Sequence, residues 1–322
     1  MTTEVEKNTT TEVVESKHFT KKDYEAWGGP SVYWSRVAES DGFDIEDVAT
    51  IPDNIGLVSY DCQKSARYPY PVLVKRYAML GLHRYNMLEG TRFQLQGLLK
   101  LNMLQNCVSS YYMTLNARDS TGRLKPFRLD VTCSIARPRV KKDEVTTEKP
   151  FVPHFHGYAI PDSKFFDGEL PDWPLDEALN DTKRFYVLKE LEWKETECIN
   201  LYLELLICAD DRRRMRNKKN FLSNLEIVKV AIETNIEDMK PSNERLKAKC
   251  ANVYITFKGL KKTPWSEEID VERKAIIRRV IGSTGSLTLV GKLWSGENTE
   301  KRSMTLTSGE NAQSSRKRSR FE

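Results

Sequence analysis

The pattern of apolar and polar residues changes its period once between residues 71 and 135. From Val72 to Tyr85 the apolar residues recur at helical spacing, so that they share one face of a predicted helix. These residues are Val74, Tyr77, Ala78, Gly81 and Tyr85. Three segments with alternating apolar and polar residues follow, at 93–104, 111–118 and 127–135, and this alternation is typical of half-buried strands. We therefore predict an antiparallel sheet that buries its apolar face against one helix.

A second strand-rich α+β unit is predicted further along the chain. Alternation from Ile199 to Ile207 indicates a strand, whereas the segment from Glu267 to Ile281, with its basic residues, is interpreted as a helix. Further strands are expected at Leu225–Ile232, Val253–Phe257 and Ser286–Trp294, the last of them after a glycine-containing turn. The fold class is therefore α+β. Whether the second unit repeats the first is left open, because residue matching gives no internal repeat.

Composition divides the chain into five segments. The first segment is rich in Thr, Glu and Lys and the last is polar, and such sequences favour disorder. A segment rich in proline and aromatic residues separates the two α+β units. The predicted boundaries are a disordered N-terminal tail at 1–26, a first unit at 27–137, a connection at 138–182, a second unit at 183–294 and a disordered basic tail at 295–322.

Length and composition are those of a protein with a packed core. The chain has 322 residues, of which 39% are hydrophobic and 30% are charged, in the range of ordinary globular domains. It contains no apolar run of about 18 residues, so no membrane insertion is expected. The N-terminus lacks the basic and apolar regions of a secretory signal. The six cysteines form no CxxC pair, and we expect them to be reduced thiols in the cytosol or nucleus.

The sequence contains no recognisable catalytic or cofactor-binding motif. It has four histidines, but no GxSxG, HExxH, P-loop or dinucleotide fingerprint. His154 and His156 lie on one side of an extended segment, yet a third metal ligand would have to come from Asp162 or Asp167, beyond a proline. We therefore expect no enzyme activity, no catalytic residue, no cofactor and no metal.

The net charge of the whole chain is +5, and two basic clusters stand out against a nearly balanced body. One is a candidate interaction loop and the other a candidate nuclear-localisation signal in the tail. The loop contains Arg212, Arg213, Arg214, Arg216, Lys218 and Lys219, and the tail contains Arg316, Lys317, Arg318 and Arg320. Neither cluster has interleaved aromatic residues, which argues against sequence-specific binding of single strands. Non-specific contact with nucleic acid remains open, and residence in the nucleus, with cytoplasm as a second location, is predicted.

The strings VKRYAMLGLHRYN and QNCVSSYYMTLNARD resemble the helix and central hairpin of plant cystatins. This resemblance implies a cystatin-like fold and, as an alternative function, inhibition of papain-type cysteine proteases. The positions that match the first inhibitory loop are Gln105, Asn106, Cys107, Val108 and Ser109. Asn106 places a polar amide where the inhibitors have valine, and burying such a group without a partner costs about 1–3 kcal/mol. In cystatins a second inhibitory loop carries a Trp, and the matching positions here are residues 135–138. No Trp occurs there, so we expect the cystatin-like fold without protease inhibition.

At a finer level the chain resembles a plant-specific family over roughly residues 60–260. The motifs are GLHRYNMLEGT, SYYMTL, the DWP turn at Trp173, LYLELL and LEIVKVAIET. The family includes the meiotic male-sterility protein Male Sterile Five and embryo-defective paralogues. The resemblance implies a protein-interaction scaffold in reproductive development, in early meiotic prophase, with roles in chromosome pairing, chromosome-end behaviour at the nuclear envelope and male fertility. The implied partners are other proteins, including nuclear-envelope or meiotic chromosome proteins.

Overall fold

The computed structural model describes the two predicted units and part of the segment between them. The described residues are 28–46, 56–64, 68–104, 108–134, 152–155, 159–161, 164–210, 224–235, 242–259 and 271–294, together with residues 25, 48 and 222. The predicted tails at 1–26 and 295–322 lie outside this set, apart from residue 25 of the first.

The first half of the chain forms the helix and strands that the periodicity predicts. The elements are α1 at Gly29–Glu39, β1 at Leu57–Asp61, α2 at Pro71–Glu89, β2 at Gln94–Leu104, β3 at Val108–Arg118 and β4 at Leu124–Ser134. Pro71 lies in the first turn of α2, where its missing N–H costs nothing. Gly90 ends the helix with a left-handed backbone, φ 64°. The predicted stripe is buried, since Val74, Tyr77 and Ala78 have no exposed surface.

The second half adds strands to the same sheet. A short strand, β5 at Val152–His154, comes first, inside the predicted connection. The later elements are β6 at Phe185–Val187, α3 at Glu190–Glu195, α4 at Glu197–Asp210, β7 at Glu226–Glu233, β8 at Ala251–Lys258, β9 at Arg273–Ile281 and β10 at Leu287–Trp294. Short 3-10 helices lie at Lys164–Phe166, Ala178–Asn180 and Ser242–Lys247.

The ten strands of the described residues form one antiparallel sheet, in the order β1-β2-β3-β4-β5-β10-β9-β8-β7-β6. The two halves join at β5, where His154 pairs with Thr132 of β4 on one side and with Thr288 of β10 on the other. Each half runs from a strand through a helical segment into antiparallel strands that return across the sheet. This order is compatible with the cystatin-like fold that the sequence resemblance implies.

Helices α2 and α4 lie side by side on one face of the sheet and share one hydrophobic core with it. On the other face the described residues form three smaller clusters. Residues around Tyr33 and Ile45 pack beside β1, residues around Leu170 and Leu179 pack on β7, β8 and β9, and Ala159 and Phe166 pack on Val280 of β9. The molecule therefore has three layers, with the sheet in the middle. Among the described residues no helix is long and apolar enough to cross a membrane.

The strand predicted at Ile199–Ile207 is wrong, because these residues lie within helix α4. Every residue from Leu201 to Ala209 except Glu204 is buried. A helix that is apolar on nearly all sides loses its 3.6-residue signal, and any alternation within it is accidental.

The helix predicted at Glu267–Ile281 is also wrong where the structure describes it, because Arg273–Ile281 is strand β9. This strand lies inside the sheet with both faces covered, so residues from Ala275 to Ile281 are all buried. Strands covered on both faces show continuous apolar runs instead of alternation. Arg278 and Arg279, two of the four basic residues that suggested a helical surface, are buried on opposite faces of the sheet.

Candidate functional site

A groove runs between α2 and α4 on the helical face of the sheet. Its volume is 520 Å³, and its lining comes from α2, from the start of β2 and from the first half of α4. Clefts of about 300–1,000 Å³ are the usual size for binding small ligands. Because the two helices belong to different halves of the chain, the groove exists only where the halves meet.

One stripe of α2 forms a wall of the groove. Lys75, Met79 and His83 all line it, and residues four apart lie above one another on a helix. Asn86 continues the stripe and fixes the turn into β2. Its Oδ1 accepts the backbone N–H of Phe93 at 2.8 Å, and its Nδ2 donates to the Phe93 carbonyl at 2.9 Å. This double hydrogen bond holds the start of β2 against the end of the helix.

An ion pair crosses the groove at the Lys75 end. Arg76 Nε donates to Glu204 Oε2 at 2.8 Å, and the side chains are 19% and 21% exposed. Partial burial weakens screening by water, so this pair binds α2 to α4 more strongly than a surface pair would. The pair also neutralises both of its charges within the groove.

A buried hydrogen-bond chain closes the other end. Tyr202 Oη lies 2.7 Å from His83 Nε2 and accepts a hydrogen bond from Arg279 Nη1 at 3.0 Å. Burial, with a smaller contribution from the Arg279 charge, lowers the pKa of His83 to about 3, so the imidazole is neutral at physiological pH. Arg279 also donates to the carbonyls of Leu246 and Ala248, at the end of a 3-10 helix. These hydrogen bonds therefore connect α2, α4, β9 and the residues after β7.

Both tautomers of the neutral imidazole satisfy this arrangement. Arg279 can only donate, so the Tyr202 oxygen accepts from it. The Tyr202 hydroxyl also hydrogen-bonds with the thiol of Cys198. His83 Nε2 either accepts the hydroxyl proton or donates to the oxygen, and Nδ1 then has the complementary role.

A second polar network lies on the opposite face of the sheet. Glu233 is fully buried and accepts hydrogen bonds from Tyr254 at 2.6 Å, from Asn252 at 3.0 Å and from Arg184. Arg278 donates to Asn252 and to the carbonyls of residues 166–169. Burial and the Glu233 charge raise the pKa of Tyr254. These groups hold the 164–184 segment on the sheet.

The residues selected from the sequence do not lie in the groove as the structure describes it. The basic loop from Arg212 to Lys219 and the tail cluster from Arg316 to Arg320 lie outside the described residues. So do Gln105, Asn106 and Cys107 of the cystatin-type loop. Val108 and Ser109 begin β3, where their backbones pair with Ser134 and Cys133 of β4.

Sequence reasoning missed the groove because it interpreted half of it as a strand. The i, i+4, i+8 spacing of Lys75, Met79 and His83 on α2 can be read from the sequence. The facing helix α4 could not be predicted, because its residues were interpreted as a strand. The one visible signal was the spacing of Asn200 and Glu204, the two polar residues within the apolar run 198–209. No group of three or more metal-ligating side chains occurs in the part of the chain that the structure describes.

Comparison with known proteins identifies the family. The putative UPF0725 protein At1g28500 of Arabidopsis thaliana is 51% identical over 306 residues, which cover 90% of this chain and 94% of that protein. The chain belongs to the plant MS5 family. A family model described as Protein MS5 matches residues 170–289. The family resemblance predicted from the sequence motifs is therefore confirmed.

Two further members of the MS5 family extend this result. The UPF0725 protein EMB2204 of Arabidopsis thaliana is 44% identical over 303 residues, covering 88% of this chain and 87% of that protein. The crystal structure of MS5 from Brassica napus is similar with a TM-score of 0.51 at 30% identity, over 70% of this chain and 99% of that chain. The likeness therefore extends from sequence to fold.

Proposed function

We propose that this protein is a non-enzymatic nuclear scaffold that binds other proteins during plant reproductive development, in early meiotic prophase. The observation that carries the proposal is membership of the MS5 family, with 51% identity to one relative over most of both chains. The scaffold would act in chromosome pairing, in the behaviour of chromosome ends at the nuclear envelope and hence in male fertility. Its partners would be meiotic chromosome or nuclear-envelope proteins.

The arrangement of the buried polar groups supports a structural role over catalysis. Glu233 is occupied by three donors, and Tyr202 connects His83 to Arg279. These hydrogen bonds join groups that are distant in the chain and so contribute to the stability of the fold. Their effect is to fix helices and loops on the sheet, which is what a binding scaffold needs.

Nuclear location can be tested with the basic tail. Deleting residues 316–320 from the protein fused to a large fluorescent reporter should shift the fusion toward the cytoplasm, because import receptors recognise clustered positive charge. The reporter must be large, since a chain of 37.2 kDa could otherwise equilibrate through nuclear pores. A deletion of equal length at residues 308–312 is the control. If a protein that lacks both residues 316–320 and residues 212–219 accumulates in the nucleus as the wild type does, import through these two clusters is contradicted.

The meiotic role requires a plant. A line in which the gene is disrupted should show defective chromosome pairing in meiocytes and reduced pollen fertility. Normal pairing and full fertility, with no related gene raised in expression, would contradict the proposed stage while leaving the fold and family untouched.

Inhibition of papain-type proteases is the alternative function, and the strand–helix–strand order of residues 57–134 favours it. We expect the purified protein not to inhibit papain, because Asn106 weakens the first inhibitory loop and the second loop lacks its Trp. Stoichiometric inhibition would replace the scaffold proposal with the inhibitor.

A further inference from the structure

We propose that the groove between α2 and α4 binds an elongated amphipathic carboxylate, with its charged end at Lys75 and its apolar body along Met79 and Leu201. This goes beyond the scaffold function, because it assigns a small-molecule site to the joint between the two halves. Three features of the groove carry the inference: its charge, its apolar floor and its two polar ends.

The charge of the groove favours an anion. Among its lining residues the formally charged side chains are Lys75, Arg76 and Glu204. Arg76 and Glu204 neutralise each other at 2.8 Å, while no ion-pair partner of Lys75 occurs among the described residues. The groove therefore carries one uncompensated positive charge. A cationic ligand would meet repulsion there, whereas a carboxylate would form a charge-assisted hydrogen bond.

The middle of the groove is apolar. Leu82, Phe93 and Leu201 are buried and form its floor, and Met79 and Leu95 are partly buried at its sides. An apolar body in this space would cover these side chains, and the flexible thioether of Met79 can adapt to the shape of the chain.

The two polar ends set the length of the ligand. Lys75 and His83 are eight residues apart on α2, which corresponds to about 12 Å along the helix axis. At the far end His83 lines the groove, and Tyr202 engages its Nε2, so Nδ1 is the ring nitrogen left for a ligand. The best ligand therefore has a carboxylate at one end, an extended apolar chain of about 12 Å and a hydroxyl at the other end, which pairs with either tautomer.

The test measures binding of three probes to the purified full-length chain by isothermal titration calorimetry. The probes are decanoate, 10-hydroxydecanoate and decylammonium. Decanoate should bind saturably at one site, 10-hydroxydecanoate should bind more tightly through His83, and decylammonium should bind at least about tenfold more weakly because of Lys75.

Variants assign the binding to the groove. Lys75→Glu should reduce decanoate affinity by about tenfold or more, whereas Lys164→Glu, an equal charge change on the opposite face of the sheet, should not. Met79→Trp should block the groove, and His83→Gln should remove the preference for 10-hydroxydecanoate. Thermal melting of each variant shows that it is folded.

Three outcomes would overturn the proposal. The first is no saturable binding of any probe, and the second is equal binding of decanoate and decylammonium. The third is decanoate binding that Lys75→Glu and Met79→Trp both leave unchanged in folded protein. In the second and third cases the probes bind by apolar contact elsewhere.

Discussion

At the scale of single residues, two neighbouring arginines show how position decides the role of a charge. Arg278 and Arg279 are adjacent in β9, and their side chains extend to opposite faces of the sheet, as successive residues of a strand do. Arg278 reaches the carbonyls of residues 166–169 on one face, and Arg279 reaches Tyr202 and the carbonyls of Leu246 and Ala248 on the other. Each compensates its burial by several hydrogen bonds to oxygen. In the sequence these are two adjacent basic residues, whereas in the structure each holds a different segment of the chain on the sheet.

His83 leads to a prediction about pH. Its pKa is about 3 in the folded protein and about 6.5 as an isolated group, so between these values the unfolded chain binds a proton that the folded chain does not. The contribution to stability is therefore constant above pH 6.5 and falls as the pH is lowered toward 3. At pH 5 the loss should be about 2 kcal/mol.

The measurement is urea unfolding of the wild type and of His83→Gln at pH 7.5, 6 and 5. The glutamine does not titrate, and its carbonyl can accept the hydroxyl proton of Tyr202. The stability difference between the two proteins should therefore change with pH in favour of the variant as the solution becomes acidic. A difference that is constant from pH 7.5 to 5 would show that His83 is not held neutral.

At the scale of elements, the contact between α2 and the sheet depends on a glycine. A Cβ placed on Gly81 would lie 2.6 Å from Leu129 Cδ1 of β4, so the helix approaches the sheet closely at this residue. Glycine in a helix interior costs about 0.5–1 kcal/mol relative to alanine, so its presence on the apolar face of α2 indicates a packing reason.

Substitutions on β3 and α2 test this packing. Gly81→Leu should overpack the contact and destabilise the protein by about 1–3 kcal/mol. Leu115→Asp should cost more, because Leu115 is fully buried in the same core and a charge there has no partner. Thr114→Asp is the matched control on the opposite face. Thr114 pairs with Lys100 of β2 and Arg128 of β4, so its effect should be small or favourable.

Thermal melting of the three variants tests the helix-on-sheet arrangement. Unchanged melting temperatures for both Gly81→Leu and Leu115→Asp would contradict the helix-on-sheet arrangement. A stably folded Thr114→Asp protein that fails to support fertility would identify the Thr114 face of the sheet as a partner surface.

The register of β2 is another property of the element that its sequence conceals. The strand has irregularities at Leu95/Gly97 and Leu98/Lys100. Strict alternation from Phe93 would place Leu99 on the main core, but Leu98 packs there instead, and alternation resumes with Leu101 and Met103. Bulges of this kind shift side chains between faces. Simple period-two counting cannot detect them.

At the scale of the whole molecule, the halves are joined by contacts on several levels. β5 pairs with both β4 and β10. Arg84 of α2 donates to the Gly285 carbonyl in the β9–β10 turn at 2.7 Å. The Arg76–Glu204 pair and the His83–Tyr202 hydrogen bond connect the helices. The predicted units 27–137 and 183–294 therefore share one interior.

We expect the protein to unfold as a single cooperative unit for this reason. Differential scanning calorimetry should give one transition whose calorimetric and van't Hoff enthalpies agree. Ile277→Ala, which makes a cavity in β9, should lower the melting temperature of the whole protein, with Val228→Ala on the exposed edge of β7 as the control. Two separate transitions, only one of them shifted by Ile277→Ala, would show that the halves fold independently.

The sequence alone determined three things. It predicted α2, β2, β3, β4, β7 and β10 from periodicity, because an element that keeps an apolar and a polar face can be counted. It predicted β8, which is buried except at its last residue, from its β-branched and aromatic residues, and it predicted the family from separate motifs. The tertiary structure decided the rest. α4 and β9 lie where both sides are covered, so their patterns carry no period, and β5 has three residues whose pairing needs both neighbouring strands. The groove was decided in the same way, since residues 75–83 and 198–204 are far apart in the chain and only the packing of the two halves brings them together.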